Sequence, residues 1–220
     1  YGVHRDLHLS LRRQRQMCIR DRSSVVRNIE MISDKRHSLG LVKNNRLFRY
    51  LKSGGIIIYP TESSFGIGCD PCNLTAIKKI MVIKKRNANK NFILISASIK
   101  NTKKYILQLT GTELKKANKK WPGPHTWIMR SQHNCPKWLK KNDKVALRLP
   151  SFKPCQDLCA SLGIALISTS ANISGKKSLK KYRDVCRLFY NKSKIMKGRI
   201  GYSKKPSTIQ DLQTGKIIRS

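Results

Sequence analysis

The sequence predicts a single mixed α/β domain, and three observations predict it. Short β-branched apolar runs, such as residues 56–59 and 164–167, suit buried strands and are far too short to span a bilayer. Between such runs lie segments with apolar residues at helical spacing. Polar turns rich in glycine and hydroxyls fall at the ends of the apolar runs, where α/β proteins gather their ligands. A chain of 220 residues with 39% apolar content can fill one sizeable core.

In chain order, Leu47, Phe48 and Leu51 share one face of a helix over residues 45–52, and Gly54-Gly55 closes it. Residues 55–59 form a buried strand. Pro60, which has no N–H to donate, ends its ladder. Asn73 caps a helix running through Lys84, with Leu74, Ile77, Ile80 and Met81 on its inner face. Residues 92–96 form a strand and 101–109 a helix. Thr110-Gly111-Thr112-Glu113 is a capping box that opens a helix through Lys120, which Trp121-Pro122-Gly123-Pro124 breaks. Residues 126–130 and 145–149 are strands. Pro154 suits the first turn of a helix that Gly163 ends. Residues 164–168 are a strand running into a Ser-Ala-Asn loop. Residues 179–190 form a helix, and 207–211 and 216–218 short strands.

Residues 1–24 are basic and aperiodic, begin at Tyr1, and are read as a disordered or non-native extension outside the fold. Met31 is a credible natural start. Residues 25–44 carry little signal, and 45–220 form the catalytic domain.

The charge is extreme: 47 Lys plus Arg against 11 Asp plus Glu, net +36. Such a field favours polyanions. Most of these cations are spread along the chain and read as solvated faces. The clustered Lys84, Arg86 and Lys90 are the exception. Seven cysteines, an odd number, without a secretory signal point to reduced thiols in the cytoplasm. Cys69-x-x-Cys72 lacks partners at zinc-site spacing, and no metal-binding set is expected. There is no Walker A loop, zinc-protease helix or Gly-x-Ser-x-Gly elbow.

The informative stretch is residues 56–90. An apolar strand ends at Tyr59-Pro60, and a small-residue turn follows, in which Gly66 and Gly68 allow φ > 0 or close backbone approach to a ligand. A helix then ends in Lys84, Arg86 and Lys90. Three cations there suit a triphosphate, Arg86 as a planar fork and Lys84 as a point charge. Composition alone equally fits cations solvating a helix C-terminus. The run from Ser168 to Asn172 could cradle phosphate with hydroxyls and backbone N–H groups, or simply be a turn.

Tyr59-Pro60-Thr61-Glu62, Gly66-x-Gly68-Cys69-Asp70-Pro71 and Lys84-x-Arg86-x-x-x-Lys90 together resemble the YrdC/Sua5 family of threonylcarbamoyl-AMP synthases in tRNA modification. Residues 121–126, 168–175 and 206–211 follow in the family's order. The resemblance covers residues 45–220. It implies one YrdC-like domain, a twisted mixed sheet flanked by helices with a concave basic cleft. It implies adenylation of a threonine carbamate made from L-threonine and bicarbonate, with ATP as donor and Mg2+ carried mainly on the ATP and pyrophosphate. By motif, Lys84, Arg86, Lys90, Thr126, Ser170, Asn172 and Arg219 bind ATP, Lys84 and Arg86 acting in catalysis. Thr61, Arg148 and Ser207 hold threonine and carbamate. A separate tRNA-modifying transferase uses the product, and the basic surface contacts RNA. Where the family often has Arg-x-Pro-x-His-Pro, this chain has Arg148-Leu149-Pro150-Ser151-Phe152-Lys153-Pro154. Asn87 replaces a usual proline and Asn91 a frequent glycine. The competing reading is a non-catalytic RNA-binding module of the same fold, although no RNP-type aromatic motif is present.

Overall fold

The computed structural model describes residues 45–87 and 90–220. The expectations for residues 1–24, for 25–44 and for Met31 lie outside them. Five α-helices flank one nine-stranded sheet in the described part. The helices are α1 (Asn45–Lys52), α2 (Leu74–Lys84), α3 (Gly111–Asn118), α4 (Lys153–Leu162) and α5 (Tyr182–Phe189). The strands are β1 (Ile57–Pro60), β2 (Phe65–Gly68), β3 (Ile93–Ile95), β4 (His125–Arg130), β5 (Lys144–Arg148), β6 (Leu166–Ser170), β7 (Lys194–Ile195), β8 (Thr208–Asp211) and β9 (Ile217–Arg219). Their order across the sheet is β7-β1-β2-β6-β3-β5-β4-β8-β9. The β1–β7, β3–β5 and β4–β8 pairs are parallel and the rest antiparallel, so the sheet is mixed as expected.

Strand β1 shows why an apolar run becomes a strand here. Ile56 and Ile58 join one core with Ala76, Ile77 and Ile80 of α2. Ile57 and Tyr59 join the other, with Leu47 and Leu51 of α1 and Leu158 and Leu162 of α4. Both faces are covered, which removes any need for polar alternation. Helix starts and stops follow local chemistry. Asn73 accepts the Ala76 N–H, Thr110 and Glu113 form the full capping box, and Gly163 ends α4 in the left-handed region at φ 64°.

Five expectations change. The turn after Pro60 is only four residues long, because residues 65–68 return as β2, with Pro60 opposite Phe65. Pro60 does not end the ladder. Gly66 and Gly68 serve strand packing and are not left-handed: a Cβ on Gly68 would stand 2.2 Å from the Ile167 carbonyl oxygen of β6. Strand β6 runs on through Ser170 instead of stopping at Ser168, since Thr169 and Ser170 pair with β2. Residues 101–109 are not a helix. A 3-10 turn over Ile99–Thr102 is followed by a bridge from Ile106 to Ser131. On α2, Ala76 and Lys84 are buried while Leu74 is exposed.

Gly68→Ala should force β2 and β6 apart and cost about 2–4 kcal/mol. Gly111→Ala, whose Cβ meets nothing within 4 Å, should stay within about 1 kcal/mol of the wild type. Urea unfolding of both variants checks this.

Candidate active site

Alternation along the central strands creates the cleft. Leu94, Val145, Leu147, Trp127 and Met129 point into the core beneath the sheet. Their neighbours Ile93, Ile95, Ala146, Arg148 and Ile128 line an open cleft of about 1390 Å³ on the other face. Register lays one row across its floor: Ser168 opposite Ile93, Ile93 opposite Ala146, Ala146 opposite Ile128, and Ile128 opposite Asp211.

One wall is the β1–β2 turn. Thr61 donates its N–H and its hydroxyl to the Ser64 carbonyl, at 3.0 and 2.7 Å, which closes the turn. Beside it, Glu62 is 9% exposed. Its Oε1 lies 2.6 Å from Arg148 Nη2 and accepts the backbone N–H groups of Ser151 at 3.1 Å and Phe152 at 3.4 Å. Arg148 also donates from Nε to the Gly123 carbonyl at 3.0 Å.

The second wall joins the end of α2 to the end of β6. Lys84 is 1% exposed. Its ammonium donates to the Ser170 carbonyl, to the Asn172 carbonyl at 2.7 Å and to Asn172 Oδ1 at 3.3 Å. All three of its N–H groups are thereby used. Ser170 donates its hydroxyl to the same Oδ1 at 2.6 Å. Arg86 lies over the Phe92 ring, 4.8 Å from its centroid, and donates to the Asn91 carbonyl at 2.7 Å and to Thr169 Oγ1 at 3.4 Å. Its buried Nε has no partner. Burial lowers the Arg86 pKa. Burial, with Arg86 nearby, lowers that of Lys84 to about 8.

The third wall comes from the C-terminal strands. Thr126 and Ser207 share a hydroxyl hydrogen bond of 2.8 Å, and Arg219 donates to the Ser207 carbonyl from Nε and Nη2 at 3.1 and 2.6 Å. At the cleft edge, Lys144 pairs with Asp211 at 2.6 Å.

The residues singled out from the sequence therefore divide. Thr61, Arg86, Arg148, Ser170, Ser207 and Arg219 line one cleft. Lys84 and Asn172 lie beneath its surface, holding the loop after β6. Thr126 is fully buried and touches the cleft only through Ser207, so it does not line it. Lys90 is exposed and stands apart from the lining. Sequence reasoning missed Glu62, Phe92 and the Lys144–Asp211 pair as cleft residues. Only Glu62 carried a signal, as a rare acid inside the main motif.

A cation-rich cleft over the bare half of an α/β sheet defines a protein that binds anionic small molecules. The model of the Sua5/YciO/YrdC family, described as "Telomere recombination", matches residues 49–220, and the chain belongs to that family. It is 42% identical over 174 residues to a threonylcarbamoyl-AMP synthase of Methylobacillus flagellatus, covering 79% of this chain and 97% of the relative. It is 41% identical over 172 residues to the synthase of Blochmanniella pennsylvanica, covering 77% and 89%. Among solved structures, P. abyssi Sua5 complexed with L-threonine superposes with TM-score 0.71 at 27% identity. That match covers 81% of this chain and 53% of the Sua5 chain, so the present chain spans about half of the archaeal protein's length. E. coli YciO, at 24% identity and TM-score 0.69 over 80% of this chain and 87% of its own, shares the fold.

The Lys84 environment has a pH signature. The unfolded chain holds the Lys84 proton up to the ordinary value of 10.5 and the folded chain only to about 8. Between pH 8 and 10.5 the unfolded state binds more protons, so this group's contribution to stability rises with pH, by up to about 3 kcal/mol. Urea unfolding at steps from pH 7.5 to 10.5 should show wild-type stability rising relative to Lys84→Met across that window. Parallel curves would disprove it.

Proposed function

We propose that the chain condenses L-threonine, bicarbonate and ATP into threonylcarbamoyl-adenylate, releasing pyrophosphate, as the first step of threonylcarbamoyladenosine formation in tRNA. One observation carries this reading. The hydroxyl-rich end of β6 with Arg86, and the Thr61–Arg148 corner, face one cleft, so two anions can be aligned in it.

In this reading the threonine amine captures CO2 derived from bicarbonate and loses a proton, which gives a carbamate. A carbamate oxygen attacks the α-phosphorus of ATP. The bond from that phosphorus to the bridging oxygen breaks, and pyrophosphate leaves. The protein aligns the reactants and neutralises charge. Arg86 offers a planar fork with an unused Nε donor. Ser170 needs only a rotation of its O–H, from Asn172 Oδ1 to a phosphate oxygen. Arg148 faces the threonine carboxylate, and Ser207 and Arg219 close the site from the C-terminal strands.

Among the described residues no group of three His, Cys, Asp or Glu could hold a metal ion. Mg2+ is assigned to the ATP itself as part of the substrate. A separate transferase then carries the threonylcarbamoyl group to tRNA. Among the described residues no helix is long and apolar enough to cross a membrane.

Pyrophosphate release from ATP by the purified chain, with bicarbonate and Mg2+, should require L-threonine. Arg86→Ala and Ser170→Ala should each lower kcat/KM by about 10²–10³ with the melting transition retained. Release that ignores threonine would refute the reading.

A further inference from the structure

The acid at the threonine corner is unexpected in a cleft that binds anions. Three carboxylate residues line it: Glu62, Asp184 and Asp211. Asp211 is paired with Lys144, and its Oδ1 accepts the backbone N–H groups of Gln213 and Thr214. Glu62 is different. Its contacts with Arg148, Ser151 and Phe152 all fall on Oε1. Its Oε2 is buried and has no hydrogen-bond partner. A buried ionised oxygen without a partner is costly unless something supplies a donor.

We propose that Glu62 is the amine-recognition residue of the amino-acid site, its Oε2 accepting an N–H of the substrate's α-ammonium while Arg148 receives the α-carboxylate. The assignment rests on the function proposed above and deepens it. A free α-amino acid is a zwitterion with both charged groups on one carbon. The Glu62–Arg148 pair presents the opposite charges 2.6 Å apart, a complementary arrangement. Arg148 is anchored through Nε on the Gly123 carbonyl, and its Nη2, 2.6 Å from Glu62 Oε1, has no hydrogen-bond partner and is left for a carboxylate. Thr61 sits next to Glu62 and fixes the turn that carries it. The pair also explains selectivity: a site with cations alone would accept any small carboxylate, whereas a buried acceptor rejects one that brings no donor.

Calorimetric titration of the full chain with L-threonine, and with the 3-hydroxybutanoate in which a hydrogen replaces the ammonium, tests this. The wild type should bind threonine at least about tenfold more tightly than the hydroxy acid. Glu62→Gln keeps an oxygen for the Ser151 and Phe152 N–H groups but loses the charge. It should weaken threonine about tenfold or more and leave the hydroxy acid nearly unchanged, so the preference collapses. Equal weakening of both ligands would make Glu62 only a support for Arg148 and overturn the assignment. Equal binding of both ligands by the wild type would overturn it without recourse to the variant. Failure of the wild type to bind threonine at all, together with threonine-independent pyrophosphate release, would instead overturn the proposed function, and the assignment with it.

Discussion

The burial of the Lys84 ammonium is the constraint on which the cleft wall between α2 and β6 depends. An unpaired ammonium in the interior would cost many kcal/mol. Here two carbonyls and an amide oxygen receive it, and it ends a helix whose C-terminal dipole favours a cation. Lys84 also accepts the Ser174 N–H on its own carbonyl at 2.7 Å. The residue thus grips the loop after β6 by side chain and main chain together. Lys85 follows in the left-handed region at φ 47°, which breaks the helical phase. Arg86 is therefore released toward the cleft while Lys84 stays inside. The Lys-x-Arg spacing has a physical meaning: one cation holds the loop and the other faces the cleft.

The same division organises the rest of the charge. A net charge of +36 would suit almost any polyanion. The cleft is more selective, because four of its cations are tied to specific partners. Arg86 is anchored by Asn91, Arg148 by Glu62 and Gly123, Arg219 by Ser207, and Lys144 by Asp211. Anchored guanidinium groups lose little further freedom when an anion arrives, which favours orientation over simple attraction.

Much of the fold was legible because apolar runs and caps are local signals. β1, α2, the Thr110 capping box and the Gly163 stop follow from neighbouring residues alone. β2 was not legible. Phe65-Gly66-Ile67-Gly68 has the composition of a turn, and it is a strand because the Tyr59 ring and the Ile167 carbonyl leave no room for side chains at the two glycines. The false helix at residues 101–109 fails for a tertiary reason too, since Ile106 is drawn into a bridge with Ser131. In the site, motif order identified most of the cleft lining, but the interior placement of Lys84 and Thr126 depends on contacts more than eighty residues away in sequence. Nothing local distinguishes a lysine that faces a ligand from one that faces two carbonyls.

Glu62 shows why the departure from the family's pattern after Arg148 is compatible with an intact corner. Its side chain reaches the turn after β5 through the N–H groups of Ser151 and Phe152. These are main-chain donors, which any non-proline residue supplies, so phenylalanine in the usual histidine position leaves the contact in place. The main chain of the β1–β2 turn that carries Glu62 is fixed from the other side. Beyond β7 the chain runs along β1, where Met196 donates to Ile58, Gly201 to Thr61 at 2.9 Å and Ser203 to Glu62 at 3.0 Å. A Cβ on Gly201 would meet the Glu62 carbonyl oxygen at 2.9 Å and the Phe152 ring at 3.2 Å. Glycine thus lets this strap close onto the turn while Phe152 fills the space beside it. The Thr61–Glu62 turn is therefore held by backbone on two sides and by Arg148 on a third. That rigidity is what a small zwitterion requires of a site with few atoms to grip.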